Sequence, residues 1–173
     1  MSRGDNGRVK TRNSSRAPGR CAAPVSSHST PDSAVRVKYA LDSNLFIDAF
    51  RGADEEEALA DFHARFAPFE YLSAIVALEL RAGARTRPAA AELQKHVLSP
   101  YERSGRVFAP SYPAWKQAGA ALATLGDATR AFYNDVLIAA SCREFGVTLV
   151  TRNVRDFERI RAVLPFDFVA AWP

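Results

Sequence analysis

From Val37 onward the chain alternates between two spacings of apolar residues. Short, nearly continuous apolar runs occur at 37–41 (VKYAL), 70–73 (EYLS), 106–109 (RVFA), 147–151 (VTLVT) and 166–170 (FDFVA). They are too short for helices and suit strands buried on both faces. Between them apolar residues recur every three or four positions, which predicts helices over 43–50, 54–66, 74–84, 88 to about 98, 112–125, 133–144 and 153–163. Local signals support the ends of these helices. Pro88 and Pro113 suit first turns, Ser111 suits an N-cap, and Gly146 suits a helix stop. The run Asp54-Glu55-Glu56-Glu57 complements the positive end of a helix better than it resembles a metal site.

Strands and helices alternating at this length predict an α/β fold, with a central parallel sheet covered on both faces and right-handed crossovers. Such sheets bind ligands outside the carboxyl ends of their strands, where strand order reverses. Asp42 follows directly on the first apolar run, in 39-YALDSNLFIDAF-50, so it stands at such an end. Asp42 or Ser43 is also a natural N-cap for the helix that follows.

Composition narrows the class. The 173 residues suggest one domain, and 47% apolar against 24% charged residues is enough for a real core. No apolar run approaches the roughly 20 residues that span a bilayer, and no secretory pattern follows the N-terminus. Cys21 and Cys142 make no disulfide framework, so the cytoplasm is expected. His28, His63 and His96 have no zinc-ligand spacing. The sequence pI of about 9.3 is unevenly sourced. Residues 1–36 hold seven Lys/Arg and two Asp/Glu, leaving 16 basic against 17 acidic residues of the chain's 23 and 19. The domain over 37–173 is thus close to neutral, and the basicity gives no argument that it binds nucleic acid. The Ser/Arg/Gly/Pro-rich segment 1–36 is expected to be a disordered basic extension, or to lie upstream of a start near Val37.

Candidate chemistry comes from carboxylates in apolar company. Asp42 is joined by Glu79 within 74-AIVALEL-80, Asp135 within 131-AFYNDVLIAA-140, and Asp156 shortly after 147-VTLVT-151. An ionised carboxylate beside a core face is costly unless it is paired or metal-bound. Each has an ordinary explanation: Asp42 as a cap, Glu79 as a partner of Arg81 or Arg85, Asp135 or Asn134 as a cap, and Asp156 as a surface acid beside Arg155 and Arg159. If the four converge, their repulsion calls for a cation, and all-oxygen ligands point to Mg²⁺ or Mn²⁺.

The stretches 40-ALDSNLFI-47, 73-SAIVALELRAG-83, 134-NDVLIAA-140 and 148-TLVTRNVRDF-157 together resemble the PIN-domain nucleases, most closely the VapC-like toxins of bacterial toxin–antitoxin pairs. The resemblance implies a three-layer α/β/α sandwich and a metal-dependent endoribonuclease with Mg²⁺ or Mn²⁺ as cofactor. It carries the metal-ligating, catalytic role onto Asp42, Glu79, Asp135 and Asp156. Asn44, Ser73, Thr151 and Asn153 match polar positions of the same motifs and would orient ligands or water, unless they serve turns and caps. Ser43 stands where such toxins more often have Thr, and the basic extension has no counterpart in the typical member.

The partners implied are an RNA substrate, a small cognate antitoxin and a second copy in a homodimer, for which the apolar faces near 58–69 and 74–84 are available. Metal-assisted attack by water predicts 5′-phosphate and 3′-hydroxyl ends, whereas a metal-free route through the 2′-OH would need an acid–base pair that the histidines do not form. Arg81, Arg85, Arg87, Arg130, Arg152 and Arg155 are available to an RNA backbone or to salt bridges. Other possibilities are a PIN-like binding module with little catalysis and a DNA-directed structure-specific nuclease. A haloacid-dehalogenase-like phosphatase fits worse, because that chemistry wants Asp-x-Asp where this chain has Asp42-Ser43-Asn44.

Overall fold

A computed structural model of the protein describes residues 37–126 and 129–172. The segment 1–36, expected from the sequence to be a disordered extension, lies outside the described residues. In chain order the elements are β1 (Lys38–Leu41), α1 (Ser43–Ala49), α2 (Ala53–Phe66), β2 (Glu70–Ser73), α3 (Ala74–Gly83), α4 (Arg87–Glu92), a π-helical segment (Leu93–Leu98), α5 (Ser99–Arg103), β3 (Val107–Phe108), α6 (Tyr112–Leu125), α7 (Arg130–Phe145), β4 (Val147–Thr151), α8 (Val154–Val163) and β5 (Phe168–Ala170).

The five strands form one parallel sheet in the order β3-β2-β1-β4-β5. Ala40 of β1 lies opposite Tyr71 on one side and Leu149 on the other. From β1 the chain first steps outward to β2 and β3, then returns past β1 to β4 and β5. Right-handed crossovers in opposite directions would cover opposite faces of the sheet, and the helices group accordingly: α1 packs against α2 and α3, while α6, α7 and α8 pack against one another. Burial from both sides explains why these strands read as apolar runs: Ala40, Leu41, Leu149 and Val150 are essentially inaccessible. They join a core with Phe46, Val76, Ile138, Phe157 and Ile160. No helix among the described residues is long and apolar enough to cross a membrane.

Polar caps set most helix starts. Ser111 Oγ accepts from Ala114 N–H at 3.5 Å, and Thr86 Oγ1 accepts from Ala89 N–H at 3.3 Å with Pro88 in the first turn. Gly146 ends α7 with φ of 61°, a left-handed conformation that a side chain disfavours.

Two helices differ from the sequence expectation. The helix expected to stop near Leu98 continues through the π-helical segment into α5, which ends at Arg103. Pro100 is the reason. A proline inside a helix lacks its own N–H and crowds the preceding turn. The chain widens there, and Ser99 N–H reaches back five residues to the Gln94 carbonyl. The continuation carries Tyr101 into the core. The helix expected to begin at 133 begins at Arg130 instead, because Thr129 Oγ1 caps it by accepting from Phe132 N–H at 3.3 Å. Asn134 and Asp135 therefore lie in its second turn, and neither is the cap.

Candidate active site

Strand order reverses between β1 and β4, so the crevice outside their carboxyl ends is a topological switch point. Asp42 leaves β1 into this crevice and Thr151 ends β4 beside it. Asp42 is 4% exposed and Thr151 is fully buried. The Thr151 hydroxyl donates to Asp42 Oδ2 at 2.6 Å and accepts from Asn153 N–H at 3.0 Å. The Asn44 amide donates to Asp42 Oδ2 at 2.7 Å and to Thr151 Oγ1 at 3.3 Å. Ser43 N–H donates to Asp42 Oδ1 at 2.7 Å, so the capping role of Asp42 is real and coexists with its place in the crevice. Burial raises the Asp42 carboxyl above its ordinary pKa; the Thr151 bond opposes that rise and the charge on Glu79 adds to it. Asn44 Oδ1 is buried and has no hydrogen-bond partner among the described residues, an acceptor available to a cation or to a cation's water.

Asp135 comes from the second turn of α7, and Asn153 Nδ2 donates to its Oδ2 at 3.2 Å. Its pKa is pushed up to about 7, first by burial and then by the charges of Asp42, Glu79 and Asp156. The charges of three carboxylates, Asp42, Glu79 and Asp156, thus bear on Asp135, and that of Glu79 bears on Asp42 as well. Glu79 arrives on α3, where Asn134 Nδ2 donates to its Oε1 at 2.8 Å. Asp156 lies in the first turn of α8 and also reaches Arg159 at 3.6 Å, so the surface pairing considered for it is present as well. Among the described residues no three of these groups, as they stand, close around one common ion position. The Ser73 hydroxyl accepts from Ile75 N–H at 3.2 Å and caps α3.

The arginines divide. Arg81 pairs with Glu102 at 2.9 Å instead of with Glu79. Arg152 is taken up by Asp48 at 3.4 Å and by Glu55, which ties the β4–α8 turn to α1 and α2. Arg85, Arg87 and Arg155 are exposed, and the Arg130 side chain lies outside the described residues.

Two features escaped the sequence reading. One is the role of Asn134, considered from the sequence only as a cap, which holds Glu79 across a separation of 55 residues; the signal for it was its place directly before Asp135. The other is Glu70, 2% exposed, which accepts from the Tyr101 hydroxyl and lies 2.7 Å from His63 Nδ1. Nothing in EYLS announces that Glu70 has a partner 31 residues away. This trio lines a cavity of about 510 Å³ together with Phe46, Phe50 and Leu59. A second cavity of about 410 Å³ shares Phe50 and runs past Leu80 and Leu93 to Glu79.

The family model described as PIN domain matches residues 39–163. No curated protein matches the chain in sequence. Several solved structures share its fold. A DNA-bound VapBC from Salmonella typhimurium superposes with a TM-score of 0.61 at 22% identity, covering 78% of this chain and 98% of that one. A toxin–antitoxin complex from Klebsiella pneumoniae gives 0.57 at 22% identity, covering 78% and 98%. FitAcB from Neisseria gonorrhoeae gives 0.57 at 20% identity, covering 75% and 95%. These likenesses are of fold; the family match runs from β1 to α8 and takes in all four acid-bearing stretches, and on that ground the chain belongs to the PIN domain family.

Proposed function

We propose that the protein is a metal-dependent endoribonuclease acting as the toxin of a toxin–antitoxin pair, with Asp42, Glu79, Asp135 and Asp156 as the residues that hold the cation. The observation that carries this reading is the buried Asp42 carboxylate at the strand switch point, held by Thr151 and Asn44, with Asp135 held beside it by Asn153 and its pKa pushed up to about 7 by burial and by the charges of Asp42, Glu79 and Asp156. A fold does not gather four repelling acids at a ligand-binding crevice for stability. The donor set fits a hard divalent ion, since every candidate ligand is an oxygen and Asn44 Oδ1 is a further one without a partner among the described residues. When bound, Mg²⁺ or Mn²⁺ supplies charge neutralisation, a more acidic water and stabilisation of the leaving oxygen.

The chain's own residues prepare for this. Thr151 and Asn44 fix the orientation of the Asp42 carboxylate, and Asn153 does the same for Asp135. Burial of Asp42 excludes competing water. The raised pKa of Asp135 would couple metal binding to proton release, since a cation held there would favour the ionised carboxylate. The choice of RNA rests on the family resemblance, because carboxylate–metal chemistry does not itself distinguish sugars.

A small antitoxin is the partner this reading expects, as in the Klebsiella pneumoniae toxin–antitoxin complex of the same fold. Phe50, which is 62% exposed, lines both cavities, and the second of them, lined also by Glu79, offers a peptide segment a seat beside that acid. The function is tested by incubating wild type and Asp42→Asn with tRNAs and rRNA in Mg²⁺, Mn²⁺ or EDTA and sequencing the fragment ends. Cleavage leaving 5′-phosphate and 3′-hydroxyl ends is expected from wild type with metal alone. Cleavage in EDTA, cleavage by Asp42→Asn, or cyclic-phosphate ends would overturn the proposal.

A further inference from the structure

Glu79 has three side-chain torsions where each aspartate of the site has two, and it starts from a half-buried position on α3, whereas Asp42 is short and buried. It also acts electrostatically on both Asp42 and Asp135. An ionised carboxylate so placed lowers its energy by turning outward to water, where it gains both solvation and rotamer entropy. One contact in the structure opposes that. Asn134 Nδ2 donates to Glu79 Oε1 at 2.8 Å, across the packing of α3 against α7.

The chemistry of the donor matters. Lysine or arginine at this position would make a stronger bond, but it would bring a positive charge that competes with the cation. A side-chain amide holds a carboxylate without changing the net charge of the site. Because Asn134 directly precedes Asp135, α7 supplies one acid and the restraint on another from the same turn.

We propose that Asn134 is a positioning residue that holds Glu79 in the crevice before a divalent cation arrives, an inference that rests on the metal-dependent reading above. It touches neither ion nor substrate in this role and acts through Glu79. Hydrogen bonds of this kind to ligating groups change metal affinity by roughly 10–100-fold when removed.

The test measures Mn²⁺ affinity by calorimetry and electron paramagnetic resonance on full-length wild type, Asn134→Ala, Asn134→Leu, Glu79→Gln and the Asn134→Leu/Glu79→Gln double variant, with thermal melting in EDTA as a control. Leu keeps the branching of Asn at Cγ, is somewhat larger and removes its donors, so it leaves no cavity and carries the test if the Ala variant folds poorly. The expected result is Mn²⁺ binding weakened about 10–100-fold in Asn134→Leu, a melting temperature in EDTA close to wild type, and little further loss when the substitution is added to Glu79→Gln. Wild-type affinity in Asn134→Leu would overturn the inference alone. So would a loss in the double variant equal to the two single losses combined, since Asn134 would then act independently of Glu79. Absence of Mn²⁺ binding in wild type would sink both the inference and the reading beneath it.

Discussion

The charges of Asp42, Glu79 and Asp156 all bear on Asp135, and its response to pH follows from sign alone. Its folded-state pKa of about 7 lies above the ordinary value of 3.8. Between those values the folded chain binds a proton that the unfolded chain has released, so metal-free stability falls as pH rises through this window and levels off above about 7. Asp42 is shifted in the same direction by its burial. In urea titrations in EDTA from pH 4.5 to 8.5, wild type should lose on the order of 2–4 kcal/mol, and Asp135→Asn should lose distinctly less while becoming the more stable protein at high pH. A flat wild-type profile would mean that Asp135 is not enclosed by the other acids. The same residue illustrates what single positions disclosed in the sequence. A carboxylate flanking an apolar stripe was visible, as it was for Asp42, Glu79 and Asp156. The bonds from Asn134 to Glu79 and from Thr151 to Asp42 were not, because they join positions 55 and 109 apart, and periodicity carries no information about such pairs.

At the scale of elements, α3 presents Glu79, and Ser73 is the joint between β2 and α3. Its hydroxyl caps the helix from a fully buried position. Ser73→Ala should therefore cost about 1–2 kcal/mol in urea unfolding, with the nuclease rate at a permissive temperature close to wild type. A rate loss of tenfold or more without unfolding would show that the hydroxyl also serves the acids, the other role the family pattern suggests. Most elements were legible because each has a strong spacing signal and a nearby punctuator: Ser111 for α6, Gly146 for the end of α7, and apolar runs for all five strands. The misjudged boundaries have local causes. Thr129 caps α7 ahead of the first clear apolar repeat, and Pro100 looked like a stop although the helix passes it by widening at Leu93–Leu98.

For the whole molecule, alternation of strands and helices was enough to expect a parallel α/β sheet, but not the order β3-β2-β1-β4-β5. Strand neighbours are decided by which apolar faces fit together in three dimensions, and the alternating pattern is the same for many orders. That order places β1 and β4 side by side, and so brings Asp42 and Thr151 to one crevice with Asp135 and Asp156 from the helices on either side of β4 in sequence. The central claim is that this crevice is a cation site built from four carboxylates. An anomalous difference map from crystals of the wild-type protein soaked in Mn²⁺ tests it most directly. A peak enclosed by Asp42, Glu79, Asp135 and Asp156, absent from Asp42→Asn crystals treated alike, is the result expected; a crevice without density at saturating Mn²⁺, or a peak held by other residues, would contradict it.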